Sequence, residues 1–184
     1  MKKLLWAVVI AASAVLAISF MPQPATTSVQ AAKAVAYDVS LNGETFTLNQ
    51  SDNGATDVRR GDVYLLNGQV YPGGTIPAGG SRTEPSSFGP DSPGSIGSFY
   101  CKGVFLVGAK RMEVEKIQRA STQYFVLNNK SRLITEGFEG STNTNRIILG
   151  GVGEFAGARG VVTMERIGIN ATGSYNLRFT FNLE

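Results

Sequence analysis

G-G-V-G-E-F-A-G-A-R-G, Gly150 to Gly160, places five glycines in eleven residues between two runs that read as strands, Arg146 to Leu149 and Val161 to Glu165. Glycine supplies positive φ and close backbone approach at little steric cost, so the stretch reads as a tight, specially shaped turn between paired strands. Phe155 at its centre argues against a flexible linker. A dinucleotide-binding loop opens a helix after its glycines; here an alternating strand follows, which sets the phosphate-loop reading aside.

Outward from this turn, the C-terminal run gives the clearest periodicity. Tyr175, Leu177, Phe179, Phe181 and Leu183 alternate with Asn176, Arg178, Thr180 and Asn182, a strand with one apolar face. The same reading, less cleanly, picks out Tyr37 to Leu41, Glu44 to Asn49, Asp62 to Tyr71, Phe99 to Val107, Ile117 to Asn128, Arg132 to Phe138, Asn145 to Leu149 and Arg159 to Ile167, about nine short strands in all. Turn signals at Asn42-Gly43, Asp52-Asn53-Gly54, Asn128 to Lys130 and Gly140 to Asn145 join them as antiparallel neighbours. No helix is in view to cover an open sheet, so its edges need closure into a barrel or pairing in a sandwich, and periodicity leaves both open. Pro72 to Ser98 breaks the spacing: seven Gly, six Ser and five Pro in twenty-seven residues exclude a continuous strand or helix. This long loop is either a mobile surface excursion or a cover over one barrel mouth, docked by Ile76 and Phe88.

Met1 to Ala34 carries the marks of an export signal: Lys2 and Lys3, an apolar run from Leu4 to Phe20, and small residues ending at Ala32-Lys33-Ala34. A retained anchor is the competing reading, since the apolar run approaches a spanning length. Cleavage leaves residues 35–184 as one domain, secreted or periplasmic, with no membrane contact. Lys2, Lys3 and Lys33 leave with the signal, so seventeen basic residues fall to fourteen against fourteen acidic ones. That balance offers no basic stripe for a nucleic-acid partner. Cys101 stands alone, which rules out an internal disulfide, and the absence of histidine removes imidazole-based catalysis and the commonest zinc ligand. Neither a metal nor a cofactor is expected.

The pattern G-G-x-G-x-F-x-G-A-x-G-x-V, Gly150 to Val162, resembles the strand connection of the allene oxide cyclases and the related dirigent proteins, and Ala158-Arg159-Gly160 is similar to the dirigent version. Gly61-Asp62-Val63 leading to Val70-Tyr71, Phe99-Tyr100-Cys101 leading to Phe105-Leu106-Val107, and Leu133 to Phe138 follow in the right order, so the resemblance covers roughly Thr45 to Leu183. It implies an all-β fold, a single eight-stranded antiparallel β-barrel of the allene oxide cyclase/dirigent type, here with a Gly/Pro/Ser-rich loop longer than the plant cyclase pattern. It further implies an apolar small-molecule ligand in the lumen, a cofactor-free cyclisation or stereoselective coupling steered there, and a homotrimer. Such steering needs a dry, shaped cavity more than a strong acid or base.

Three residues are catalytic candidates on this reading. Cys101 lies on the strand where the plant cyclases carry a site cysteine; as a plain side chain it is a small buried hydrophobe with a raised pKa. Asn49 fits the cyclase asparagine, while Thr47 stands where those enzymes carry an acid, so the plant cyclisation is not expected. Glu136 offers a carboxyl instead, or is a solvated strand residue. Tyr64, Phe99, Phe105, Tyr124 and Phe125 are candidate substrate-binding aromatics, and the same side chains would equally serve as ordinary barrel filling. Arg159 either holds a polar substituent of the ligand or pins the glycine turn. The chain is thus a cofactor-independent isomerase or cyclase if it transforms its ligand, and a hydrophobic-ligand carrier or cell-envelope interaction module if it does not.

Overall fold

The computed structural model describes residues 33–49, 57–108, 118–140 and 144–184. Eight strands run through them: β1 (Lys33–Asn49), β2 (Val63–Pro72), β3 (Gly97–Phe105), β4 (Arg119–Leu127), β5 (Arg132–Glu139), β6 (Thr144–Val152), β7 (Gly160–Ile169) and β8 (Tyr175–Leu183). Each pairs antiparallel with its sequence neighbour, and β1 pairs with β8 as well as β2, closing the barrel and leaving no free edge. The expectation of two strands before Ser51 is corrected. Asn42-Gly43 does not reverse the chain; β1 continues through it with a shift of register between Asn42 and Thr47. Local bonds absorb the extra residues, Asn42 Oδ1 accepting from the Glu44 N–H and Thr45 Oγ1 donating to the Asn42 carbonyl, each at 2.9 Å, so the strand bends instead of turning.

The glycine-rich stretch turns β6 into β7 through one 3-10 helical turn, Gly153–Phe155. Gly153 has φ +69°, and a Cβ there would lie 2.6 Å from Ser131 Oγ, so glycine is required on both conformational and steric grounds. The turn drives Phe155 into the barrel, where its ring meets Tyr37 edge-on at 6.4 Å. Beyond it, Phe99, Phe125, Phe179 and Phe181 are all fully buried. Phe125 sits at their centre, 5.0 Å from Phe179, 5.1 Å from Phe181 and 5.2 Å from Phe99, in edge-to-face contacts that exploit the ring quadrupole. This end of the lumen is solid.

The segment from Pro72 to Ser98 neither covers a mouth nor projects away. It runs along the outer face of β1, β8 and β7, forming short parallel bridges at Gly79–Gly168 and Ser86–Asn170. Outward side chains of those strands supply the anchors. Asp38, fully buried, accepts the Ile76 N–H at 2.8 Å and a paired contact from Arg178 at 2.8 and 3.0 Å. Asn176 donates to the Phe88 carbonyl, and the Tyr71 hydroxyl meets the carbonyls of Pro90 and Ser92. Ile76 and Phe88 do dock, on Tyr71 and Ile167, outside the barrel wall. A glycine- and proline-rich chain cannot form regular secondary structure, and it is tied down here by the polar outer faces of other strands.

Candidate functional site

Inward rows of alternate residues decide what the lumen contains. β1, β2, β3, β7 and β8 present Leu41, Leu66, Phe99, Met164 and Leu177. The inward row of β4 reads Arg119, Ser121, Gln123, Phe125, Leu127; that of β5 reads Leu133, Thr135, Gly137, Glu139. β6 adds Arg146, whose side chain is wholly buried. One wall at the unfilled end is therefore polar and the opposite wall apolar. Between them lies a cavity of about 280 Å³, lined also by Phe46, Tyr64, Cys101, Arg166 and the Thr172 to Tyr175 hairpin. That volume is at the small end of ordinary ligand pockets, roughly 300–1,000 Å³.

Glu139 is the hub of the polar wall. Its Oε1 accepts from Ser121 Oγ at 2.5 Å, Gln123 Nε2 at 3.0 Å and Arg146 Nη1 at 3.4 Å, and its Oε2 accepts from the Tyr64 hydroxyl at 3.2 Å. Arg119 Nε faces Oε2 at 3.6 Å, beyond hydrogen-bond reach, and is buried with no other partner among the described residues. Arg146 also donates to the carbonyls of Ser121 and Gly137 and to Thr135 Oγ1. Four of its five N–H donors are thus used inside the wall. Gly103 gives Tyr64 its place, since a Cβ there would stand 2.3 Å from the phenol ring.

Burial, and next the charge of Glu139, raises the Tyr64 phenol well above its usual range and pushes the Cys101 thiol up to about 12. Both hold their protons at neutral pH. Cys101 Sγ lies 3.9 Å from the Tyr64 hydroxyl and from Glu139 Oε1, a weak donor to the cluster and no thiolate nucleophile. Burial lowers the Arg146 pKa and Glu139 acts in the opposite sense.

The sequence-derived candidates separate. Cys101, Tyr64 and Phe99 line the cavity, and Phe105 packs on the Tyr64 ring at 5.3 Å. Phe125 belongs to the filled end. Tyr124 is on the outer face opposite Tyr100, Glu136 is exposed on the outward row of β5, and Asn49 is exposed at the end of β1. Asn49 and Glu136 therefore do not meet Cys101. Arg159 donates to the carbonyls of Leu149 and Ala158, holding the glycine turn far from the cavity. Glu139, Arg119, Ser121, Gln123, Arg146 and Arg166 escaped the sequence reading. Their signal was parity: counting by twos from Phe125 reaches Arg119, and from Leu133 reaches Glu139, not Glu136.

No family model matches the sequence, and no curated protein matches it significantly. Solved structures do. A pyocyanin demethylase superimposes with a TM-score of 0.54 at 10% identity, covering 83% of this chain and 100% of its own. The pterocarpan synthase dirigent protein PsPTS1 gives 0.54 at 14% identity, covering 84% and 97%. A second pterocarpan synthase dirigent protein, GePTS1, gives 0.49 at 16% identity, covering 89% and 99%. At these identities the likeness is one of fold. The closed antiparallel barrel of eight strands is thus the fold of the pyocyanin demethylase and of the dirigent protein PsPTS1.

Proposed function

We propose that the barrel binds an apolar, ring-bearing small molecule in the half-open lumen and steers its conversion without a cofactor. One observation carries this reading: Glu139 and Arg119 line a void, with Arg146 bonded to Glu139 behind it, in a barrel whose other end is packed solid with phenyl rings. Burying charge costs stability relative to an apolar filling of the same volume, so a barrel selected for packing alone would not keep it here. Leu41, Leu66, Met164 and Leu177 would hold the ligand body, and the Tyr64 hydroxyl oxygen, whose proton goes to Glu139, would accept a hydrogen bond from a polar ligand atom. Two matched barrels are named a demethylase and a synthase, so the fold hosts small-molecule chemistry in those proteins. A carrier reading has its own support, because the thiol and phenol are both held protonated and leave no activated nucleophile.

Titration with N-phenyl-1-naphthylamine, a neutral fluorophore that brightens in apolar sites, tests the binding step. Saturable one-to-one binding should weaken at least about tenfold in Leu177→Trp and in Leu66→Trp, which fill the cavity from different strands. Equal binding in wild type and both variants would place the dye elsewhere and refute the lumen reading.

Export and assembly belong to the same proposal. The Lys2-Lys3 start and apolar run of the first segment support cleavage near Ala34 and life outside the cytoplasm. Exposed Leu65, Tyr100, Tyr124, Phe138, Ile147 and Val161 on the outer strand faces support a homotrimer. Mass measurement of the exported protein and of its assembly in solution checks both. An intact N-terminus in the membrane fraction, or a monomer at high concentration, would contradict them.

A further inference from the structure

Among the described residues, two arginines, Arg119 and Arg166, line the cavity against one carboxylate, Glu139. A third, Arg146, lies behind the lining, where its donors go to Glu139, Thr135 and two backbone carbonyls. The other two guanidiniums line the void with capacity left. Arg119 Nε has no hydrogen-bond partner among the described residues, and its guanidinium lies 5.6 Å above the Tyr64 ring. Arg166 stacks on Tyr175 at 4.5 Å and gives one Nη2 bond to the Gly140 carbonyl; no described carboxylate pairs with it. A buried donor left without an acceptor costs free energy, and a pocket with excess positive charge in low dielectric favours a ligand that supplies the missing anion.

We infer that the ligand carries an acidic group, a carboxylate, sulfonate or acidic phenolate, which Arg119 and Arg166 receive while its rings lie against Leu41, Leu66 and Leu177. This rests on the lumen reading above and adds a charge requirement to it. Arginine suits the task because its planar fork matches such oxyanions and its face tolerates aromatic stacking. Four donors at Oε1 and Tyr64 at Oε2 already engage Glu139, which lessens its repulsion of that group.

Two dyes with one carbon frame test it. 8-Anilino-1-naphthalenesulfonate is N-phenyl-1-naphthylamine with an added sulfonate. The wild type should bind the sulfonate at least about tenfold more tightly than the neutral dye. Arg166→Gln and Arg119→Gln should each erase most of that preference, weakening the sulfonate dye at least about fivefold more than the neutral dye. A measurement without variants runs beside it: 2-naphthoate should displace the sulfonate dye, and naphthalene-2-methanol at equal concentration should not. Equal affinity for the two dyes, equal displacement by the two competitors, or variants that weaken both dyes alike would overturn the charge requirement and leave the lumen reading standing. Dye binding that survives Leu177→Trp would overturn both.

Discussion

Along β4 the inward row changes character midway. Phe125 and Leu127 sit in a packed cluster of rings, whereas Arg119 and Gln123 border a void and Ser121 bonds Glu139 beside it. The two halves share strands, closure and alternation, so what separates them is side-chain volume and charge. The filled half is sealed by Phe155 from the glycine turn and by Phe179 and Phe181 from β8; it gains apolar burial and edge-to-face contacts. The hollow half forgoes that gain and adds the desolvation of a carboxylate and an arginine. A barrel can thus divide its lumen, with stability concentrated at one end and recognition at the other.

The largest expected effect tests the filled half. Phe125→Ala removes the ring at the centre of the cluster and should cost about 3–5 kcal/mol in urea unfolding. A loss under about 1 kcal/mol would mean that the rings are not the main packing unit. Next comes the polar wall: Arg146→Met takes the buried cation from Glu139 and should cost about 3 kcal/mol, while Arg146→Met with Glu139→Leu should recover most of it and keep the preference for the sulfonate dye, because Arg119 and Arg166 remain. A double variant as unstable as the single would show that the pair is kept for stability.

Alkaline pH separates the halves more gently. Burial and the charge of Glu139 raise Cys101 from 9.0 to about 12 and raise Tyr64 further, so the unfolded chain releases these protons first. Their contribution is complete below pH 9 and is lost as pH climbs toward 12. Stability should fall over that window, and Cys101→Ala should flatten part of the slope; an unchanged slope would contradict the placement of the thiol against Glu139. The smallest stability effect belongs to Leu177→Trp, which fills existing space and should move unfolding by less than about 1.5 kcal/mol. A loss like that of Phe125→Ala would mean the cavity has no room to fill.

The fold was largely legible because alternation survives in the sequence wherever one face is buried. Tyr175 to Leu183 shows it plainly, and the Gly150 to Gly160 turn pointed to the eight-stranded barrel. Asn42-Gly43 misled because a turn dipeptide also suits a bulge, and only strand pairing distinguishes the two. Pro72 to Ser98 could not be placed because its anchors, Asp38, Tyr71, Asn176 and Arg178, are polar residues of distant strands. The candidate site was half legible. Apolar members such as Phe99 and Cys101 follow from hydrophobicity, but Arg119, Gln123 and Glu139 look like solvated strand residues until parity puts them inside. Glu136 drew attention by its motif neighbours, although the pleat turns it outward.

The central claim is that the hollow half is a ligand site and the filled half is not. A crystal structure of the protein soaked with 8-anilino-1-naphthalenesulfonate tests this most directly. The account predicts rings between Leu66, Met164 and Leu177 with the sulfonate on Arg119 and Arg166, and the phenyl cluster around Phe125 unmoved. Density confined to the outer strand faces, with the cavity closed by protein side chains, would contradict it.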